Sequence, residues 1–361
     1  MPDGAHYPHA QKGRGAVSNP HVRFETQSAE AFDDGWGALL EDVPPLRTTL
    51  TREAAKSALN YNDSPDIGFD RSLNPYRGCE HGCVYCFARP SHAYVGLSPG
   101  LDFETKILFK PDMPEILARE LSRPGYKAKP VTLGANTDPY QPIERTQGLT
   151  RRILEVLERF SHPVTIVTKG AGVIRDIDIL TRMARKNLVR VCVSITTLDA
   201  RLARVMEPRA ASPLRRLEAV RQLSAAGIPV AVLAAPMIPG INDAELEKIV
   251  EASAKAGADS AGYVLLRLPL ELKQIFEEWL DQHFPDRAAK VLALVRQTRG
   301  GKLYDSAFGQ RQSGQGVYAG VLGQRFALAV KRAGMAERVW AKGLDCGQFN
   351  GRADDRQLAL L

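Results

Sequence analysis

The chain has 361 residues, 44% of them hydrophobic, and 48 Lys and Arg stand against 41 Asp and Glu for a formal net charge of +7. That is enough to bury a sizeable core and only modestly exceeds the usual single-domain size, so one large α/β domain with tails is expected. No apolar run reaches the roughly 18 residues of a membrane-spanning helix, and MPDGAHYPHAQKGRG lacks the apolar stretch of a secretory leader, so a cytoplasmic protein with no membrane partner is expected.

Residues 1–45, rich in Gly, Pro, His and polar residues without sustained periodicity, predict a disordered or loosely docked extension. A connecting region from Leu46 to Asp70 leads to NPYRGCEHGCVYCFARP, residues 74–90. Beyond it, β-branched runs alternate with amphipathic stretches. The runs VTLGAN (131–136), PVTIVTK (163–169), LVRVCVSITT (188–197), IPVAVLAAP (228–236) and SAGYVLLRLP (260–269) predict strands. MPEILARELS, LTRRILEVLERF, IRDIDILTRMARK, PLRRLEAVRQLSAAG and AELEKIVEASAKAG predict helices, two of them ending at a glycine that suits a helix C-terminus. With the segment leading into Cys79 as the first strand, six βα units predict a parallel sheet curled into a partial (β/α)6 barrel over residues 46–270. In such a barrel functional groups collect at the C-terminal strand ends, where the cysteine loop would sit. Residues 271–361 predict a helical extension closing the open side, and GQGVYAG within it follows no strand and is not read as a dinucleotide site.

The basic balance favours an anionic partner. Between Asp199 and Arg221 lie Arg201, Arg204, Arg209, Arg215, Arg216 and Arg221 against three acids. Nucleic acid is one candidate partner; the plainer reading is a solvated helix face with one or two arginines turned to a small anion.

Three of the five cysteines, Cys79, Cys83 and Cys86, form C-x3-C-x2-C. The number and clustering do not suit a disulfide framework. A structural zinc would need a fourth ligand from His81, His92 or a distant cysteine, which leaves a non-catalytic nucleic-acid-binding module with zinc as the alternative function. Buried thiols without a metal fit poorly, since Glu80, His81 and Gly82 are not core residue types. A four-iron four-sulfur cluster held by three thiolates leaves one iron open for a second molecule.

The spacing, with Tyr85 before the last cysteine, on the loop after the first strand of a six-unit barrel, resembles the radical S-adenosylmethionine enzymes. NPYRGC, VYCFARP, ANTDPYQPIE, MEPRAASPLRRL and PMIPGIND resemble more narrowly the spore photoproduct lyase-like branch. The resemblance implies a four-iron four-sulfur cluster on Cys79, Cys83 and Cys86, S-adenosylmethionine chelated to the open iron, and an external one-electron reductant of flavodoxin or ferredoxin type. Reductive cleavage then yields a 5'-deoxyadenosyl radical that abstracts hydrogen from substrate. By position, Tyr85 would lie against adenine; Asn136, Thr137 and Asp138 near the methionine amino group; Ser194 and Thr196 at the ribose; Glu207 at the ribose and Arg209 at the methionine carboxylate; Met237 and Ile238 as an apolar shelf. Tyr263 and Arg267 are candidates for substrate contact. Residues 87–191 contain no cysteine, where spore photoproduct lyases use one to return hydrogen, so DNA photoproduct repair is not the expected activity. Cys192, sharing a strand face with Ser194 and Thr196, is expected one layer deeper, in a packing role.

Overall fold

The computed structural model describes residues 12–25, 46–337 and 343–352. Six parallel strands form its centre: β1 Arg71–Leu73, β2 Val131–Leu133, β3 Val164–Thr168, β4 Val189–Ser194, β5 Val230–Met237 and β6 Ser260–Leu265. They pair in chain order. Short strands flank them, Asn60–Tyr61 antiparallel to β1 and Ala336–Glu337 parallel to β6. Among the described residues β1 and β6 do not pair with each other, so the barrel is partial, as the six βα units predict. The strands are shorter than their β-branched runs. Asn136 after β2 and Thr196 and Thr197 after β4 have already left the sheet, and these exits build the rim of the site.

The principal helices are α1 Met113–Leu121, α2 Leu149–Arg159, α3 Ile177–Arg185, α4 Ala200–Met206, α5 Pro213–Ala225, α6 Leu246–Lys255, α7 Leu272–His283, α8 Pro285–Gln297 and α9 Gly316–Arg332. Their apolar positions recur every three or four residues, which gives each helix one stripe for the sheet. Ile153, Leu154 and Leu157 of α2, Ile179 and Leu180 of α3, and Leu246 and Ile249 of α6 join Val131, Val164 and Val191 in the main core. Each such side chain, fully buried, contributes about 1.5–3 kcal/mol. A second core lies behind the cysteine loop, where Ile275, Phe276 and Trp279 of α7 and Val291 and Val295 of α8 meet Val84, Tyr85, Met206 and Ile238.

Residues 12–25 differ from the expected loose extension. Ala16 belongs to that second core and Arg14 is buried, because this segment supplies the outer layer of the cysteine loop. The rest of 1–45, together with 338–342 and 353–361, lies outside the described residues.

On β4, Val189, Val191 and Val193 face the helices, which turns Cys192 the other way, against Ala231 and Leu233. Cys192 is fully buried and absent from the cavity wall, one layer below it. Cys192→Ala should therefore cost about 1 kcal/mol or somewhat more in chemical unfolding; a cost near zero would mean that the thiol is not packed.

A buried histidine makes stability pH-dependent. The His162 ring donates from Nδ1 to the Pro163 carbonyl at 3.0 Å and accepts at Nε2 from the Tyr126 hydroxyl at 2.9 Å, so it is held neutral. Burial lowers its pKa to about 4. The unfolded chain binds this proton near pH 6.5 and the folded one only near pH 4, so stability should fall as pH drops across that window, by about 1.4 kcal/mol per unit. His162→Gln should flatten part of that slope; an unchanged slope would remove His162 as its source.

Candidate active site

The cysteine loop takes its shape from distant segments. Cys79 donates its amide to the Phe103 carbonyl at 2.8 Å, Glu80 to Gln141 Oε1 at 2.8 Å, and Val84 to the Met206 carbonyl at 2.9 Å. Arg209 donates its amide back to the His81 carbonyl at 3.2 Å. Contrary to expectation, Glu80 and His81 are buried. Glu80 is covered by Thr48 at 2.7 Å and the Arg209 guanidinium at 2.9 Å, and His81 by Asp138 at 3.3 Å.

Beneath the loop is a buried ion pair between Arg89 and Glu104, both side chains 0% exposed. Arg89 also donates to the Cys83 carbonyl at 2.8 Å and to the Pro99 and Gly100 carbonyls at 3.1 and 2.9 Å. Glu104 in turn accepts the amides of Gly15 and Ala16 at 2.9 and 2.8 Å. Residues 12–25, a strap over the loop, can come this close because Gly15 lacks a side chain: a Cβ there would land on the Gly82 carbonyl. Gly82 itself sits at φ +68, a conformation that favours glycine.

The three thiols line one cavity of about 500 Å³ at the C-terminal ends of the strands. None is paired in a disulfide. Burial pushes the Cys79 thiol well up and brings Cys83 to about 12 against the opposing charge of Lys169, so these two bare thiols would stay protonated; a bound cationic centre reverses that balance. Among the described residues no three His, Cys, Asp or Glu converge as a single-ion site. A lone zinc requires such convergence, whereas an iron–sulfur cluster takes one thiolate per iron around a larger body. His92, the other candidate fourth ligand, is directed to the Lys106 carbonyl at 3.1 Å, and burial lowers its pKa to about 4.

Of the positions singled out in the sequence, Tyr85, Asn136, Asp138, Ser194, Tyr263 and Arg267 line this cavity with the cysteines. Thr137, Thr196, Glu207, Arg209, Met237 and Ile238 are not on its wall. Thr137 donates to the Tyr76 carbonyl at 2.7 Å. Met237 and Ile238 are fully buried in the two cores, and Leu233, Ala235 and Pro236 form the apolar wall in their place. Glu207 is buried and its carboxylate is occupied by the Tyr85 hydroxyl, Thr196 at 3.0 Å and the Arg216 guanidinium. Arg209 is engaged by Glu80. Asp138 is similarly committed: it accepts from the Tyr140 amide at 2.9 Å, the Thr168 hydroxyl at 2.6 Å and the Lys169 amide at 2.6 Å. Burial opposes its charge, yet His81 and these donors bring its pKa down to about 2.

Sequence reasoning missed Lys169, Arg89, Glu104 and Arg216. Lys169 lies on the cavity wall with its ammonium 5.5 Å from the Tyr85 ring centroid. Burial opposes its charge, but Cys83 when ionised and Glu207 more than offset that and raise its pKa. A cation immediately after a barrel strand was the available signal. The other three act through long-range partners that local spacing does not reveal. Glu104→Ala should leave Arg89 buried without its partner and cost about 3–5 kcal/mol in chemical unfolding, with residues 12–16 becoming protease-sensitive. A cost below about 1 kcal/mol would contradict this role.

A model described as the Radical SAM superfamily matches residues 73–252. An uncharacterized protein of Mycobacterium tuberculosis is 35% identical over 251 residues, which cover 69% of this chain and 74% of that protein. An uncharacterized protein of Methanocaldococcus jannaschii is 25% identical over 232 residues, covering 64% and 82% respectively. A spore photoproduct lyase variant with bound AdoMet and dinucleoside spore photoproduct superposes with a TM-score of 0.57 at 17% identity, over 80% of this chain and 81% of that one. This last likeness is one of fold. Three cysteines on the first strand's loop of a partial six-unit barrel, together with the match to residues 73–252, place the chain in the radical SAM superfamily.

Proposed function

We propose that the protein is an enzyme that holds a four-iron four-sulfur cluster on Cys79, Cys83 and Cys86, binds S-adenosylmethionine in the adjoining cavity and acts on a nucleic acid. The observation that carries this reading is that three unpaired thiols from one loop line a single cavity at the strand ends. When bound, the cluster and S-adenosylmethionine would supply reductive carbon–sulfur cleavage and a 5'-deoxyadenosyl radical. The chain's own residues bind, orient and exclude water. Tyr85 offers its ring to adenine, and its hydroxyl is fixed by Thr196 and Glu207. Glu207, Thr196 and Arg216 therefore support the ligand wall from behind. Lys169, not Arg209, is positioned to meet the cofactor's carboxylate, since Arg209 is bound to Glu80 away from the cavity. Asn136 and Ser194 offer polar contacts, and Asp138 holds the turn beside them. Leu233, Ala235 and Pro236 keep that side dry.

The nucleic-acid reading rests on the cavity mouth. Arg267 lies 5.3 Å from the centroid of Phe87, a ring 47% exposed, while Arg311 beside Phe308 is already held by Asp66. An exposed ring beside a guanidinium can stack an unpaired base and meet its phosphate. Arg267 Nε is also buried without a hydrogen-bond partner, so an incoming acceptor has a donor to meet.

After anaerobic reconstitution and reduction with dithionite, the wild type should form 5'-deoxyadenosine from S-adenosylmethionine. Cys83→Ser should lose the cluster and this product together, because an alcohol replaces a thiolate poorly on iron. Product at the wild-type rate in that variant would sink the ligand assignment.

A further inference from the structure

We infer that residues 62–70 form a flap across the open side of the barrel, latched by Asp66 to Arg311, and that a bulky substrate reaches the thiol-lined cavity by unlatching it. This takes the cavity as the reaction site, as proposed above, and supplies the way in. The six-stranded sheet leaves a gap, since β1 and β6 do not pair among the described residues. Two segments meet across it, 62–70 ahead of β1 and 307–312 beyond α8, and both lie outside the residues 73–252 that match the superfamily model. The closure is therefore not part of the superfamily core.

The flap is closed on itself. It is the turn of the hairpin that pairs Asn60–Tyr61 with β1, and the Asn62 amide donates to the Asp70 carbonyl at 2.9 Å while the Asn62 side chain donates to the Phe69 carbonyl at 2.8 Å. At this base Asp70 is paired with Arg71 and Lys129, which fixes the hinge end. None of residues 62–70 is buried, so little apolar packing holds the rest down. The hold is at the tip. Asp66 accepts from Arg311 Nε at 2.7 Å, from a second nitrogen of the same guanidinium, and from the Gly309 amide at 3.3 Å. The opposite post is built into the barrel end: the Arg299 guanidinium donates to the Gln310 and Arg311 carbonyls at 3.0 Å and to that of Leu266 at 2.7 Å, and the Gln312 carbonyl accepts the Leu265 amide at 2.9 Å. Of the two sides, the flap is the one with little to break.

The flap also has space behind it. Ile67, Gly68 and Phe69 line the thiol cavity and, equally, a second hollow of about 480 Å³ bounded by Lys129 and Pro130. The wall between the two is these residues alone. A loop with few buried contacts, one charged anchor at its tip and a hollow at its back is drawn from the low-stability end of the structure, as elements that open over binding sites must be.

The test needs no cluster. In cluster-free, reduced protein, the bulky reagent fluorescein-5-maleimide should label Cys79, Cys83 and Cys86 at least about threefold faster in Asp66→Ala than in wild type, read by mass spectrometry of the peptide that carries them. Hydrogen exchange should rise in residues 62–70 of the variant and stay unchanged in β3 and β4. Equal labelling rates would overturn the flap as the way in. So would faster labelling with an equal rise in exchange across β3 and β4, which would assign the effect to general loosening. Failure of the functional reading looks different: the reconstituted wild type forms no 5'-deoxyadenosine, while labelling of the cluster-free protein still depends on Asp66.

Discussion

The site depends on one buried ion pair. Arg89 and Glu104, both without solvent contact, join the carbonyl of Cys83, the turn at Pro99 and Gly100, and the amides of Gly15 and Ala16. Two charges removed from water are tolerable only when their remaining donors and acceptors are satisfied. Here that requirement fixes where the strap, the loop and the short helix Leu101–Thr105 can lie. The loop is thereby shaped before any metal binds, and three thiols face one cavity without depending on local secondary structure. Preorganisation of this kind lets a cluster bind without the ordering cost that a slack loop would add.

A second buried set does the same for the cavity wall. Tyr85, Thr196, Glu207 and Arg216 bond to one another, and the guanidinium of Arg216 also donates to the Ser194 carbonyl at 3.1 Å. Thus the last turn of the cysteine loop, the exit of β4 and the start of α5 are joined by charge-assisted bonds. Residues expected at a ligand instead hold those that line the cavity. Asp138 behaves alike: its oxygens fasten the turn after β2 to the end of β3 and to His81 in the cysteine loop. The cavity's polar groups are consequently held on rigid supports.

The sheet was legible because a parallel strand buried on both faces carries an unbroken β-branched run, as in PVTIVTK, and the intervening helices carry one apolar stripe each. The cysteine loop was legible because three closely spaced cysteines are too few and too clustered for a disulfide framework. Side-chain destinations were harder. Glu207 and Arg209 sit two residues apart in the sequence, yet one turns to a buried arginine and the other to Glu80, and nothing in MEPR distinguishes them. Met237 and Ile238 illustrate a boundary effect: β5 runs on through Met237, so the apolar wall falls to Leu233, Ala235 and Pro236, earlier in the strand. The strap was missed for a third reason. Its low hydrophobicity reads as disorder, while its order comes from backbone amides donated to Glu104, and backbone bonding leaves no compositional trace.

The proposed function requires that three thiolates hold a cluster and leave one iron open. Mössbauer spectroscopy of protein reconstituted anaerobically with 57Fe addresses this directly. Addition of S-adenosylmethionine should change the isomer shift of one iron in four and leave the other three as they were, because only the iron without a cysteine is free to gain ligands. Four irons that respond alike, or a spectrum indifferent to S-adenosylmethionine, would contradict it.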